Sequence, residues 1–500
     1  MKHVVSPGGL VTLEMLTIEP GYWRATESST DILACYNEDA CLGGVTGAAG
    51  CCLEGYEGPY CAVCSDGYTA DLGYVCIKCS DSAGSTVLAV FLAVLVLCVA
   101  IAVVSHVMSG QVSGGRTRAF FERLGRYIPL QSVKIVAVSW QIVMQFTSVA
   151  NVIFSGVYQR FLNGLEIFNF DLGWVLSAGC IVDVDFHGRL LMSTISPIVA
   201  ALFLAATYVA AARINRGNAQ VLQVIWNKHV SMLILMTFFV YSSVSSTLFE
   251  MFACEELDDG KNYLRADYQI QCDAPKHQAF QVYAGLMIAL YTVGIPSFYS
   301  FLLFRDRKVL RQEDGDREDS ARVTSTSDLW QPYRPSLFYY EVIECARRVL
   351  LAGVVVFIYP NTAAQIAITL MLAFIFAIVS EALSPYKSGW DTWISRMGHA
   401  VVTLSMYLAL LLKVDVSSER DDSQKLFEAL LVTAHGCMIL SVVVETIVVA
   451  CAVRAEQRED PEPRFRGSKY LFRGKKGIAA ANTNPFSPHV YHSGGGAPSR

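Results

Sequence analysis

Residues 86–108 read TVLAVFLAVLVLCVAIAVVSHVM, an apolar run without a single Asp, Glu, Lys or Arg. A helix needs roughly 20 predominantly apolar residues to cross the hydrocarbon core of a bilayer, so this run predicts a transmembrane helix. The same criterion, applied outward from this run, predicts further helices over residues 132–154, 190–212, 230–252, 279–304, 341–359, 363–383, 397–412 and 427–453. The sequence therefore predicts an all-α polytopic membrane protein with about nine transmembrane helices.

The composition of the chain indicates that a lipid bilayer is its main partner. Hydrophobic residues make up 53% of the sequence and charged residues only 17%, whereas soluble domains carry about 25% charged residues. The formal net charge is −5, and no global excess of basic residues points to nucleic acid as a partner.

Charges in the connections between the predicted helices indicate their orientation. Lys and Arg concentrate in the connections that follow the first, third, fifth, seventh and ninth predicted helices, and the other connections are comparatively poor in them. Because basic connections stay in the cytosol, we expect the N-terminus to be extracellular or lumenal and the C-terminus to be cytosolic. The membrane is expected to be the plasma membrane or an endomembrane.

A cluster of cysteines precedes the first predicted helix. Of the fifteen cysteines in the chain, eight fall in this Gly-rich stretch: Cys35, Cys41, Cys51, Cys52, Cys61, Cys64, Cys76 and Cys79. A dense, even-numbered cluster is typical of a disulfide framework in an oxidising compartment, and eight cysteines allow 105 pairings, so the connectivity stays open. We expect one more disulfide between Cys254 and Cys272, in the connection after the fourth predicted helix.

Two Cys-x2-Cys pairs in this cluster have an alternative interpretation. Cys61 with Cys64 and Cys76 with Cys79 could together hold zinc. The two pairs are closer in sequence than in the usual zinc ribbon, and the predicted compartment is oxidising. We therefore favour disulfides and expect no metal site.

Residues 55–68 read GYEGPYCAVCSDGY. Together with the other cysteines of residues 35–79, this segment resembles an epidermal-growth-factor-like module, nearest to the laminin type. The resemblance implies a small, loop-rich unit that is stapled by disulfides. Its role would be either a cap that stabilises the extracellular entrance or a sensor for a ligand.

Several ordered segments resemble the transient-receptor-potential-like (polycystin-related) membrane proteins of fungi, oomycetes and algae. They read GYWRAT at residues 21–26, LDDGKNYLRADYQIQC at 257–272, YTVGIPSFYSFLLFRDR at 291–307, YYEVIECARRVLLAGVVVFIYP at 339–360 and SEALSPYKSGWD at 380–391. The likeness covers most of residues 21–453. It implies a cation channel or a channel-like sensor, although some members of this broad family are described as transporters or trafficking proteins. A homo-oligomer is a separate expectation, since assembly around an axis would favour the channel.

Charged residues inside predicted spans are the candidates for a gating or ion-pathway site. Glu344, Arg347 and Arg348 lie three and four residues apart in the sixth predicted helix, so they share adjoining faces. The alternative is a helix start at the inner interface, with the arginines reaching to headgroups. Glu445 stands alone in the run SVVVETIVVA of the ninth predicted helix. It would serve an ion pathway, or it would form a buried structural pair with Arg347 or Arg348.

These patterns divide the chain into four parts. Residues 1–34 form an N-terminal extracellular segment that lacks the apolar core of a signal peptide, and we expect it to be truncated. Residues 35–83 form the Cys-rich module, residues 84–453 the transmembrane domain, and residues 454–500 a disordered, basic cytosolic tail. Basic residues of this tail are candidates for binding anionic lipids of the inner leaflet. They are Arg464, Arg466, Lys469, Arg473, Lys475 and Lys476.

The sequence carries no recognisable catalytic motif. It has no Walker loop, no Gly-x-Ser-x-Gly, no His-Glu-x-x-His and no dinucleotide fingerprint, so we predict no enzyme activity and no cofactor. Two functions compete with the channel interpretation. One is a non-conducting cell-surface receptor or adhesion protein, in which the Cys-rich module does the work, and the other is a small-molecule transporter.

Overall fold

The computed structural model describes residues 4–5, 17–44, 51–71, 74–78, 129–150, 152, 156–165, 185–312, 323–414 and 421–459. Within these residues the protein is mostly helical, with a disulfide-rich region toward the N-terminus. The predicted first transmembrane helix (residues 86–108) lies outside the described residues, and so do the candidate lipid-binding residues Arg464, Arg466, Lys469, Arg473, Lys475 and Lys476. Residues 454–459, which the sequence assigned to the disordered tail, are helical.

The longer helices are numbered in chain order. They are α1 (Leu130–Val149), α2 (Gly156–Leu165), α3 (Phe186–Ile214), α4 (Ala219–Glu250), α5 (Pro275–Arg305), α6 (Tyr340–Ala352), α7 (Ala363–Leu383), α8 (Gly389–Lys413) and α9 (Asp421–Glu459). Seven of them, all but α2 and α6, are long and apolar enough to cross a membrane. They correspond to the second to fifth and the seventh to ninth predicted helices.

The prediction that residues 341–359 form one continuous transmembrane helix was wrong. α6 ends at Ala352, and after Gly353 the chain forms a short 3-10 turn, Val354–Phe357. Gly353 packs closely on α4, because a Cβ at this position would lie 2.7 Å from the ring of Phe249. The 13 residues of α6 extend only about 20 Å, which is less than the hydrocarbon core. The described residues therefore contain seven candidate spans, and the prediction of nine is not confirmed.

The helices differ in how much of their surface is covered by protein. α1 lies in the centre of the bundle, and fifteen of its twenty residues are buried. The outer helices instead expose large apolar side chains. Leu202 of α3, Leu286 of α5, Ile378 of α7 and Leu440 of α9 are each at least 60% exposed. Such a surface is compatible with contact to a bilayer.

Helix α5 contains an irregular turn. A π-helical turn, Ala289–Val293, precedes Gly294 and Pro296. Proline has no N–H, so Pro296 cannot bond the carbonyl four residues earlier, which belongs to Thr292. The hydroxyl of Tyr241 in α4 donates a hydrogen bond to this carbonyl over 3.4 Å. A neighbouring helix therefore satisfies the backbone group that the proline frees.

Short antiparallel strand pairs form the N-terminal region. They are β1 (Val4–Val5) with β2 (Thr17–Ile18), β3 (Tyr22–Trp23) with β4 (Leu33–Ala34), β5 (Tyr56–Glu57) with β6 (Val63–Cys64), and β7 (Tyr68–Asp71) with β8 (Val75–Lys78). We call the described part of residues 17–78 the module. Because these strands are two to four residues long, the module depends on covalent links for its stability.

Disulfides link the module internally. Three bonds join Cys35 to Cys41, Cys52 to Cys61, and Cys64 to Cys76. The disulfide interpretation of these six residues is confirmed, and the zinc interpretation of Cys61, Cys64 and Cys76 is wrong. Cys51 is buried beside them and belongs to none of the three bonds, and Cys79 lies outside the described residues.

A second small sheet connects α4 to α5. It consists of β9 (Cys254–Glu256), β10 (Asn262–Leu264) and β11 (Asp267–Gln271), all antiparallel. The predicted disulfide between Cys254 and Cys272 is confirmed. The module packs on this sheet, and we therefore call this end of the helix bundle the module end and the opposite end the far end.

The helices run alternately between the two ends. α1 begins at the far end, where Lys134 lies 3.5 Å from the carbonyl of Asp328. It finishes at the module end, where Arg265 donates to the carbonyl of Val149 over 3.2 Å. The connections before α6 and before α8 meet at the far end, where the N–H of Arg334 donates to the carbonyl of Pro385.

Candidate functional site

A cluster of buried charged residues lies between α1, α4 and α6, toward the far end. α6 carries Glu341, Glu344, Arg347 and Arg348, and all four are at most 6% exposed. Charged side chains are rarely buried to this extent unless they are paired. The cluster is therefore the clearest candidate for a functional site in the described part of the chain.

Two ion pairs organise the cluster. Arg347 contacts Glu344, with 2.8 Å between Nη2 and Oε2, and its Nε donates to the same oxygen over 2.9 Å. Arg348 contacts Glu341 over 3.2 Å, two helical turns earlier. Each guanidinium therefore has a carboxylate on its own helix, as the i,i+3 spacing of Glu344 and Arg347 allows.

Neighbouring elements extend the cluster. The guanidinium of Arg348 lies 3.9 Å from the ring centroid of Phe238 in α4, and it donates to the carbonyl of the same residue over 3.0 Å. Lys134 of α1 approaches the other side of this region, 4.8 Å from the same ring. Tyr333 donates its hydroxyl to Glu341 over 2.8 Å. α4 and the segment that carries Tyr333 thus bond the charges of α6 directly, and α1 places Lys134 beside them.

A small cavity borders these charges. It holds about 20 Å³ and is lined by Lys134, Glu344, Arg347, Tyr386 and His399, among other residues. This volume accommodates about one water molecule. The cluster contains three basic and two acidic side chains, and a low local dielectric makes each ion pair contribute strongly to the arrangement of the helices.

Glu445 does not join this cluster. Its side chain is 6% exposed and lies beside Ser132 of α1 and Asp391 of α8, and Ser132 donates to Asp391 over 3.0 Å. Among the described residues, the carboxylates paired with Arg347 and Arg348 are Glu344 and Glu341. The structure therefore brings together three of the four candidate residues and places the fourth in a separate polar group.

Tyrosine hydroxyls attach the module to the bundle. Tyr60 and Tyr268 both donate to the carboxylate of Glu255, over 2.8 and 2.9 Å. Tyr36 bonds Tyr268 over 2.7 Å and accepts a hydrogen bond from Asn361 over 3.3 Å. Burial, together with the neighbouring Glu255 carboxylate, raises the pKa of Tyr36 to about 12. This hydroxyl therefore stays neutral at physiological pH.

Sequence reasoning missed the tertiary partners of the cluster. Lys134 lies near the start of the second predicted helix, over residues 132–154, and was not recognised as part of a site, and Tyr333 and Phe238 carried no signal of their own. Glu341 opens the sixth predicted helix seven residues before Arg348, and that two-turn spacing was the one available sign of a second pair. The tyrosines of the module gave no signal either, because their partners lie 195 to 325 residues away in the sequence.

Comparisons with known proteins give one distant likeness. No family model matches the chain, and no solved structure matches it. The chain is similar to the cysteine repeat modular protein A of Toxoplasma gondii, with 23% identity over 217 residues. The matched region covers 41% of this chain and 7% of that much longer protein. The name of that protein describes cysteine repeats, in agreement with the disulfide-rich region here.

Proposed function

We propose that this chain is a membrane-spanning, channel-like sensor of the transient-receptor-potential-like type, in which the module acts on the buried charge cluster through α6. One observation carries the proposal. α6 holds the charges near the far end, and the chain that continues from it reaches the module end at Asn361, which bonds Tyr36 of the module. A short segment of about twenty residues thus contacts both sites.

Chain direction supports a total of nine spans. The module lies at the module end, and its last described residue is Lys78. α1 begins at the far end with Leu130, so the chain has to change ends between these two residues. The predicted helix over residues 86–108 would make that crossing. α6 with its 3-10 turn would make another, lined by protein because it is too short to face lipid alone.

The distribution of basic residues supports the proposed orientation. The connections at the far end carry Arg216, Arg307, Lys308, Arg311 and Lys387, among others. Since basic connections stay in the cytosol, the far end is the cytosolic end, and the module is extracellular or lumenal. The basic tail would then lie beside the inner leaflet and bind its anionic lipids. Assembly into a homo-oligomer belongs to the same proposal.

Burial of the ion pairs supports a role in switching. A buried pair that loses one partner is destabilised by about 3–5 kcal/mol, so the cluster strongly favours one packing of α1, α4 and α6. A pull or push on the segment that ends at Asn361 would change the balance between this packing and another. A coupled, two-state element of this kind is what a gate needs.

Recording from purified protein in planar bilayers tests the proposal. We expect discrete, cation-selective openings from wild type, and a changed open probability for Glu344→Gln. The control is Glu381→Gln, which disrupts an ion pair of the same kind with Arg396 that is exposed at the far end, and it should record like wild type. The double variant Glu344→Gln with Arg347→Gln removes both charges of the ion pair and leaves neither one unpaired. It keeps the test informative if the single variant folds poorly. Well-folded protein that stays silent across voltage, tension and calcium would contradict the channel.

A non-conducting receptor or adhesion protein is the second candidate. It is favoured by the likeness to a protein named for its cysteine repeats and by the firm attachment of the module to the bundle. Silence in the bilayer, together with saturable binding of the intact chain to a cell surface or a matrix protein, would support this alternative.

A further inference from the structure

Two buried histidines meet at the module end, far from the charge cluster. His187 lies in the first turn of α3 and His277 in the first turn of α5, and they are 3% and 0% exposed. The Nε2 atom of His187 is 3.3 Å from the Nδ1 atom of His277. The disulfide between Cys254 and Cys272 holds the start of α5 beside the end of α4, and both sulfurs lie within 4.8 Å of a ring nitrogen of His277.

Asp185 orients the first of these rings. Its Oδ2 lies 3.3 Å from Nδ1 of His187 and 2.9 Å from Nζ of Lys276, and its Oδ1 accepts a hydrogen bond from the N–H of Gly188 over 2.9 Å. The Asp185 carboxylate accepts the Nδ1 proton of His187, so Nε2 of His187 presents a lone pair to His277.

The second ring has no neutral arrangement that satisfies both of its nitrogens. Nδ1 of His277 faces His187, and the main-chain carbonyl of Met251 is a hydrogen-bond acceptor for the other side of the ring. If Nδ1 donates to His187, a bare lone pair on Nε2 is buried beside a carbonyl. If Nε2 carries the proton instead, two lone pairs face each other over 3.3 Å. A cation between the rings removes the conflict in the second arrangement.

We infer that His187 and His277 form a binding site for a divalent transition metal, of which zinc is the representative, at the junction of α3 and α5. Zinc binds imidazole nitrogens at 2.0–2.1 Å in tetrahedral geometry, which separates two ligand nitrogens by about 3.3–3.4 Å. The observed spacing of 3.3 Å between the two nitrogens matches this value. Water molecules would complete the shell.

The surroundings of the pair are those of a metal site. Histidine ligands typically donate their second ring N–H to a carboxylate, which fixes the ring and raises its basicity, and Asp185 takes this position for His187. The pair lies directly below Asp185 and Lys276, whose side chains are 36% and 65% exposed. The exposed Lys276 side chain marks the side from which an ion would reach the rings. A bound metal would lock the module-end tips of α3 and α5 together.

Metal analysis of the full-length protein in detergent tests the inference. After incubation with zinc and desalting, we expect wild type to retain about one zinc ion per chain and to unfold at a higher temperature than in EDTA, because a ligand that binds only the folded state stabilises it. His187→Gln and His277→Gln should lose both the zinc and the shift. His229→Gln is the matched control, since His229 is also buried in a helix but bonds the carbonyl of Ile225. It should retain zinc.

Further variants separate the possible outcomes. Asp185→Asn leaves both ligands in place and should weaken zinc binding by roughly 10–100-fold, as loss of such a carboxylate does, which rescues the test if a histidine variant unfolds. Zinc retained equally by both histidine variants but lost from Cys254→Ser with Cys272→Ser would place the metal on reduced cysteines and overturn the inference. No zinc on wild type, with a melting temperature in EDTA that falls as the pH is raised only when both histidines are present, would identify a shared proton as the cation and also overturn it.

Discussion

Single residues determine the energetics of the buried charge cluster. Arg347 and Arg348 are 6% and 2% exposed, and burial of a guanidinium costs several kcal/mol unless a partner offsets it. Glu344 and Glu341 supply these partners, while Phe238 covers one guanidinium face and its carbonyl accepts a hydrogen bond. Replacing one charge therefore affects far more than one contact, because the remaining charge stays buried without a counterion.

Glu344→Gln should lower the free energy of unfolding by about 3–5 kcal/mol, because it leaves Arg347 buried without a carboxylate. Glu381→Gln, in the exposed pair with Arg396, should lower it by at most about 1 kcal/mol. Thermal unfolding in detergent measures both effects. It is followed by tryptophan fluorescence or by a dye that becomes fluorescent when it reacts with newly exposed cysteine thiols. Equal effects of the two substitutions would mean that the cluster is not an energetic centre of the bundle.

Helices and loops differ in how they are held together. α1 and α8 approach closely through small residues, since a Cβ on Gly398 would collide with the side chain of Ser139. The connection of α4 to α5 depends instead on a covalent link between Cys254 and Cys272. Close helix packing by small residues is a common solution in bilayers, where lipid competes with protein for apolar contacts.

Gly398→Ala should destabilise the bundle by about 1–3 kcal/mol, because the added methyl group overpacks the contact of α8 with α1. The matched control is Gly436→Ala in α9, where a Cβ would have no neighbouring side chain of the described residues within 4 Å. That control should be neutral or stabilising by up to about 1 kcal/mol, the difference in helix propensity. A neutral Gly398→Ala in the same melting assay would refute close packing at this site.

Removal of the disulfide by Cys254→Ser with Cys272→Ser should cost about 3 kcal/mol by the chain-entropy estimate for a loop of this size. The bond closes a sequence separation of 18 residues and holds β9 to β11 against the module. Cys437→Ser is the control, because Cys437 is an exposed free thiol of α9. In the double variant the module should also pack less tightly on the sheet of β9 to β11. Limited proteolysis of the native protein would detect this as faster cleavage.

The whole molecule has two chemically different ends. The module end carries the disulfides and the tyrosine contacts, and the far end carries most of the basic connections. The exposed apolar faces of α3, α5, α7 and α9 lie between them. Under the proposed function this arrangement would orient the bundle across a bilayer, and the length of α6 and its extension would separate the module from the charge cluster.

Labelling from one side of the membrane tests that direction. Lys261→Cys lies in the exposed turn between β9 and β10, and Lys308→Cys lies just after α5 at the far end. In sealed cells or vesicles with the module outside, a membrane-impermeant maleimide should modify the first and not the second. Permeabilisation should expose the second site. Modification of both sites in sealed membranes would contradict the proposed topology.

Apolar runs and cysteine spacing were enough to predict much of this protein. Hydropathy located seven of the observed helices, because a run of that length can be satisfied only as a helix in lipid, and residues 363–383 match α7 in both bounds. The disulfide between Cys254 and Cys272 followed from an isolated pair in one outer connection. Close i,i+3 spacing likewise predicted that Glu344 and Arg347 share a helix face.

Tertiary structure alone decided which distant residues meet. Hydropathy is local, so it could not detect that Gly353 breaks the sixth helix where Phe249 packs, nor that Glu445 lies with Ser132 and Asp391 instead of the arginines. His187 and His277 are ninety residues apart in the sequence, and only the packing of two helix starts brings their nitrogens within a metal's reach. Helix periodicity determines which side chains share one face of a segment. The packing of the segments against one another determines which of those side chains meet, and therefore what they can bind or switch.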